Sequence, residues 1–223
     1  MRIILLGPPG SGKGTQAYNL AKFFKIPSII SGDILRETVN SGSKIGNIIK
    51  KYIDNGLYVP DEFIIHIIDT RLKSNDCCNG YLLDGFPRTV SQAQYLQKVN
   101  INFDYVIEIF IPDHEIISRI IGRRIHTSSG RIYHLIYNPP KISGCDDITG
   151  EPLVQRDDDQ EEIVKHRLRI YHEKTDSLIN YYRNMWLNEK SINYVKIYGL
   201  DSIETVQNKI ITAITKNNRS IVN

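Results

Sequence analysis

Gly7-Pro8-Pro9-Gly10-Ser11-Gly12-Lys13-Gly14-Thr15 follows directly on the apolar run Ile3-Ile4-Leu5-Leu6, and this junction decides the fold. The run is short, rich in β-branched residues and stops at a glycine, the pattern of a buried strand. Beyond the loop, Ala17, Leu20, Ala21 and Phe24 recur at helical spacing and share one face. Strand, glycine-rich loop and helix in this order make a phosphate-binding turn. Glycines let the backbone curl so that successive N–H groups point inward at an anion. The helix N-terminus adds unpaired donors and a partial positive charge. Lys13 is placed to reach β- and γ-phosphates, and a hydroxyl to hold Mg²⁺. The pattern is GxxxxGKGT, with Gly14 where the hydroxyl usually comes, so Thr15 must supply it.

Outward from this junction, strand-like segments recur at Ser28–Ile30, Tyr81–Leu83, Tyr105–Ile111 and Tyr194–Tyr198. Helical patterns separate them: Ile34–Val39, Lys44–Asn55, Glu62–Ser74, Val90–Val99, Asp113–Arg124, a long one at Glu161–Asn188, and Ser202–Lys216. Strands alternating with helices predict an α/β fold, a five-stranded parallel sheet with helices on both faces and right-handed crossovers. Ligands of such sheets bind beyond the carboxyl ends of the strands. Gly7, Ser31 and Asp84 all follow strand ends and are expected on one rim. The stretch from Ile125 to Asp159 breaks the alternation with glycines, prolines and acidic residues, and with short β-like pieces at Arg131–Tyr137 and Pro152–Val154. It is too long for a simple loop. Tyr133, Leu135, Tyr137 and Leu153 argue against a disordered one, so it reads as a small β-rich insertion.

Composition narrows the class. The 223 residues carry a net charge of +3, too mild to indicate nucleic acid, and the basic residues form no stripe. The cysteines are adjacent Cys77 and Cys78 and a distant Cys145. That is neither a disulfide framework nor a metal pair, and it favours a reducing, cytoplasmic compartment. The apolar run after Met1-Arg2 is too short for a signal peptide, and no stretch approaches a membrane span.

Further short pieces accompany the loop: Ser31-Gly32-Asp33-Ile34-Leu35-Arg36, Gly56-Leu57-Tyr58-Val59-Pro60-Asp61, Leu83-Asp84-Gly85-Phe86-Pro87-Arg88 with Gln92, Gly122-Arg123-Arg124, and Arg156-Asp157-Asp158-Asp159 with Arg167 beyond. Together with GPPGSGKGT they resemble adenylate kinase, the family that interconverts ATP plus AMP with two ADP. The likeness runs to about Tyr198 and loosens after Trp186; DGFPR and the paired arginine segments are its most specific parts. Ser31 stands where the family usually has threonine, which keeps the hydroxyl. The insertion has the length of the long-lid bacterial form.

The resemblance implies a phosphate-loop core of residues 1–29, 60–121 and 160–223, a helical AMP-binding insertion at 30–59 and a lid at 122–159. It puts Gly10, Ser11, Gly12, Lys13, Gly14, Thr15, Arg119, Arg123, Ile132, Tyr133 and Asp201 on the ATP side, with Arg119 flat on the adenine. It puts Ser31, Arg36, Leu57, Tyr58, Val59, Gly85, Phe86, Pro87, Arg88, Gln92, Arg156 and Arg167 on the AMP side. Lys13, Arg36, Arg88, Arg123, Arg156 and Arg167 are the expected catalytic set. Arginine suits such a task because its fork grips phosphate oxygens bidentately and stays charged. Phosphoryl transfer is mostly positioning and charge stabilisation, and no general base is evident. Mg²⁺ is expected near Thr15, Asp33 and Asp84, held partly through water. Asp33 or Ser31 would alternatively serve as a helix N-cap. Arg124, Arg131, Arg169 and Arg183 read as solvated surface charges.

Some relatives hold a structural zinc in the lid, at positions that here correspond to His126, Ser129, Asp146 and Thr149. Only two of these are plausible ligands, so a hydrogen-bonded cluster without zinc is expected. The expected partners are ATP, AMP and ADP, acting on a monomer, with neither nucleic acid nor membrane. A kinase for another nucleotide pair, such as GTP with AMP or ATP with UMP or CMP, remains open. So does a phosphate-loop protein that binds ATP as a switch without transfer; it would have no use for Arg36, Arg88 and the lid arginines.

Overall fold

β1 (Arg2–Leu6) is the middle strand of a five-stranded, all-parallel sheet. The computed structural model describes residues 1–219 and orders the strands β2 (Ser28–Ile30), β3 (Tyr81–Asp84), β1, β4 (Tyr105–Phe110) and, numbered in chain order past two strands of the insertion, β7 (Asn193–Tyr198). The two intervening strands, β5 (Arg123–Ile125) and β6 (Ile132–His134), form a separate antiparallel pair.

The sheet is buried on both faces, which is why β1 reads as an unbroken apolar run. Its alternation divides the core. Ile4 and Leu6 join Leu83 and Val106 on one face, and Ile3 and Leu5 join Leu82, Ile107 and Ile109 on the other. α1 (Lys13–Phe24) and α8 (Ile203–Arg219) cover the second face through Ala17, Leu20, Val206 and Ile210. The first face is covered by α2 (Ser31–Asn40), α3 (Lys44–Asp54), α4 (Asp61–Leu72), α5 (Val90–Lys98) and the long α7 (Glu161–Asn184). Each fully buried Leu or Ile contributes about 1.5–3 kcal/mol relative to exposure.

Several expected boundaries shift. α6 spans Asp113–Ile121 and does not reach Arg124. The Gly122 carbonyl accepts from Leu135 N–H, 3.0 Å away, so the chain leaves the helix to pair as β5. α7 stops at Asn184, and Met185–Glu189 continues as a π turn ending at Lys190 with φ 50°. Neither Ser31 nor Asp33 is a helix N-cap: α2 starts at Ser31 itself, Ile30 holds the cap position, and Asp33 pairs with Arg36 instead. Among the described residues no helix is long and apolar enough to cross a membrane.

The insertion is built around charge. His126 and Asp146 are both 2 % exposed. His126 Nδ1 and Ser129 Oγ are 2.7 Å apart, and Thr149 Oγ1 donates to Asp146 Oδ2 at 2.9 Å. The four residues expected to cluster therefore do so, with three additions. Arg131 grips Asp146 bidentately (2.7 and 2.6 Å), the Tyr133 hydroxyl donates to Asp146 Oδ1 (2.9 Å), and Glu151 bonds His126 Nε2. Arg131 is thus no free surface charge. Its fork and the Thr149 N–H hold the Asp146 carboxyl far below the ordinary carboxylate range. Arg183 likewise reaches the buried Glu108 carboxylate, at 3.6 Å.

Candidate active site

The loop after β1 curls as its glycines permit. Gly12 has φ 88° and no neighbour within 4 Å of where a Cβ would stand, so it faces open space as the residue before α1. The first intrahelical bond is Gln16 N–H to Gly12 O, at 3.0 Å. The N–H groups of Lys13, Gly14 and Thr15 precede it and are left for an anion. Lys13 folds back over the loop, its amine 2.7 Å from both Gly7 O and Pro8 O. Burial pulls its pKa down to about 8; Asp84 opposes this, and Arg88, Arg167 and Arg123 add to it.

Asp84 ends β3 beside the same loop. A Cβ on Gly14 would lie 3.6 Å from Asp84 Oδ2. The carboxylate is buried, which raises its pKa above the ordinary value against the pull of Lys13 and Arg88. Gly85, at φ 77°, turns the chain toward Arg88, and any side chain there would meet Ser31 Oγ at 2.5 Å.

The expected arginines converge on this rim from separate elements. Arg88 Nε donates to Gly85 O at 2.7 Å, and its guanidinium lies 5.1 Å from the centre of the Tyr58 ring. Tyr58 is tethered through Thr175 Oγ1 (2.9 Å), which also donates to Arg88 O (2.9 Å). Arg36 pairs with Asp33 at 2.6 Å. Arg123 makes a paired contact with the fully buried Asp159, its Nε 2.8 Å from Oδ2. Arg167 pairs with Asp158 at 2.8 Å. Arg156 Nε has no hydrogen-bond partner among the described residues, and burial with Arg36 and Arg123 nearby pulls its pKa down to about 10. Burial works against the Asp158 charge, yet Arg167, Arg123, Arg36 and Arg156 together hold it below its ordinary value. Guanidiniums crowded so closely, with carboxylates too few to match them, form a cleft made for a polyanion.

A pocket beside the cluster is lined by Ser31, Leu35, Arg36, Leu57 to Val59, Gly85, Arg88, Gln92 and Arg167. Ser31 Oγ is buried there with no partner among the described residues. Opposite, Arg119 lies 5.5 Å from the centre of the Tyr137 ring, and its buried Nε is also unpartnered. Ile132 is exposed, while the Tyr133 side chain is turned into the lid cluster and its backbone pairs with Arg124 of β5. Asp201 is ion-paired with Lys209, and Gln16 Nε2 ties α1 to Ile203 O beside it at 2.9 Å. Phe86 is 1 % exposed and packs in the core, and neither it nor Pro87 lines the pocket, which Gly85 and Arg88 reach from either side.

The adenylate kinase family model matches residues 5–186. Adenylate kinases of Francisella tularensis subsp. novicida (strain U112) and subsp. holarctica (strain OSU18) are each 51 % identical over 217 residues, covering 97 % of this chain and 100 % of their own. The chain belongs to the adenylate kinase family. It is therefore a phosphotransferase. Sequence reasoning missed Asp158, Asp159, Tyr58 as a side-chain partner of Arg88, Thr175 and Asp61. The acidic run after Arg156 was a visible signal for the first two, since arginines collected around absent ligands need counter-ions.

Proposed function

We propose the following division of labour for the family reaction, ATP + AMP = 2 ADP, in this chain. The loop N–H groups and Lys13 hold the β- and γ-phosphates of ATP. Arg36 and Arg88 hold the AMP phosphate, and Arg123, Arg156 and Arg167 surround the moving phosphoryl group. Ser31, the Leu57–Val59 backbone and Gln92 read the AMP adenine, and Arg119 lies on the ATP adenine. Catalysis then consists of alignment and neutralisation of charge, with the acceptor already an anion and no proton to remove. The observation that carries this reading is the convergence of Lys13, Arg36, Arg88, Arg123, Arg156 and Arg167 on one cleft, where burial and then mutual repulsion lower the pKa of Lys13, Arg156 and Arg167, and Arg36, Arg123 and Arg167 borrow acidic partners.

Mg²⁺ fits the buried Asp84 carboxylate and the Thr15 hydroxyl, hard oxygen donors beside the loop. Asp33 is the weaker choice because Arg36 already occupies it. Bound there, the ion would neutralise charge on the transferring phosphate oxygens. Asp84 would orient the ion and Thr15 would complete its oxygen shell.

Residues 30–59 and 122–159 act as the closing parts on a core of 1–29, 60–121 and 160–223. Their closure keeps water from the phosphoryl group. The site is complete within one chain and asks for no residue of a second copy, so we read the protein as a monomer. The free thiols of Cys77, Cys78 and Cys145 support a reducing, cytoplasmic setting.

A coupled assay with Mg·ATP and a panel of monophosphates tests the substrate pair. ADP is expected to form rapidly with AMP and at least about ten-fold more slowly with GMP, UMP or CMP, since a base-reading site left with unpaired polar groups discriminates by that much or more. Equal rates on UMP or CMP would replace the adenine reading by a broader kinase.

A further inference from the structure

Gln92 is 2 % exposed at the start of α5, and both ends of its amide are engaged. Oε1 accepts from the Arg88 N–H at 2.7 Å, and Nε2 donates to Asp61 Oδ1 at 2.7 Å. Asp61 opens α4 directly after Val59 and Pro60, so it continues the turn that lines the same pocket. Its other oxygen accepts from Ser91 Oγ at 2.6 Å, and Ser91 in turn meets the Thr89 hydroxyl, at 2.9 Å, which caps α5.

We infer that Asp61 is a positioning residue for base specificity, fixing which end of the Gln92 amide faces which partner. Resting on the reading that Gln92 contacts the AMP base, this role of Asp61 follows from the donors and acceptors around the amide. The two ends of a glutamine amide are nearly equal in size, so partners alone decide its orientation. A backbone N–H can only donate, and a carboxylate at neutral pH can only accept. Arg88 N–H and Asp61 therefore demand the same orientation. Turning the amide over would oppose two donors at Arg88 and two acceptors at Asp61. In the fixed orientation one N–H and one carbonyl lone pair remain for a ligand. Adenine offers a matching edge, the N1 acceptor beside the N6 donor. Hypoxanthine reverses that edge, with an N1 donor beside an O6 acceptor, and would need the amide turned over. A free amide would serve both bases; one held by Asp61 serves adenine.

IMP is the probe, because it differs from AMP only at this edge. The ratio of kcat/KM for AMP to that for IMP is measured in wild type, Asp61→Asn, Glu62→Gln and Gln92→Ala, with KM for ATP and thermal melting recorded for each. Asp61→Asn lets position 61 donate or accept and removes the demand for one orientation. It is expected to narrow the AMP/IMP ratio about ten-fold or more, the worth of a charge-assisted hydrogen bond, at unchanged KM for ATP and unchanged melting. Glu62→Gln removes a charge from the same helix end and is expected to leave the ratio alone. An unchanged ratio in Asp61→Asn, with a collapsed ratio in Gln92→Ala, would overturn the role of Asp61 while base reading by Gln92 stands. An unchanged ratio in both would overturn base reading by Gln92 and the inference with it. Equal losses on AMP and IMP with lowered melting in Asp61→Asn would assign Asp61 to helix stability alone and overturn the inference.

Discussion

Lys13→Met lowers kcat for phosphoryl transfer by about 10²–10³-fold in a chain that remains folded, the usual scale for deleting one preorganised charge contact. Among the described residues the amine bonds only to Gly7 O, Pro8 O and, more weakly, Ser11 Oγ. Those carbonyls belong to a loop held independently by the Ser11 N–H to Pro8 O bond and by the packing of β1. Methionine keeps much of the apolar stem and omits the charge. Removing a buried cation whose pKa is already depressed to about 8 also relieves a desolvation cost, so the fold loses little. Steady-state kinetics with thermal melting checks this. A folded variant with near-normal kcat would remove Lys13 from the reaction.

Arg88→Ala lowers kcat/KM by about 10²–10³-fold for every nucleoside monophosphate alike, with little change in KM for ATP. Among the described residues, Nε alone of its guanidinium nitrogens has a hydrogen-bond partner, Gly85 O. The terminal nitrogens remain for a bidentate grip on phosphate. The Tyr58 ring below them, tethered through Thr175, limits the ways the guanidinium can turn. Arg88→Lys is expected to recover only part of the loss, because an ammonium presents a point charge where a fork is needed. A variant that lost activity on AMP but not on other monophosphates would move Arg88 from the phosphate to the base.

The parts legible in the sequence were those carried by local periodicity. Four consecutive apolar residues place β1 within a residue of its observed limits, and a glycine loop with a helical face from Ala17 to Phe24 locates α1 after it, because each signal is local to its own segment. The parallel sheet followed from alternation of elements. Boundaries failed where a distant strand intervened: α6 ends at Ile121 because Gly122 and Arg123 pair with residues on the far side of a turn. Arg131 was misread for a related reason. Its partner Asp146 lies 15 positions away across a folded insertion, and no spacing rule connects them. The same limit hid Asp61, which meets Gln92 from 31 positions away, and Thr175, which meets Arg88 from 87. The arginines themselves were recognised by family likeness. What their spacing did not reveal is how they are held before substrate arrives, by Asp33, Asp158 and Asp159.

The proposed division of labour puts two nucleotide sites at one cation cluster, Ser31 and Gln92 on one side and the phosphate loop and Arg119 on the other. A compound of two adenosines joined by five phosphates spans both sites at once. Initial-rate inhibition by this compound, with ATP and AMP varied in turn, is expected to be competitive against each, with one molecule bound per chain by titration calorimetry. Competition against ATP alone, with AMP still binding to the inhibited enzyme, would contradict a shared cleft and leave a one-site ATP-binding protein.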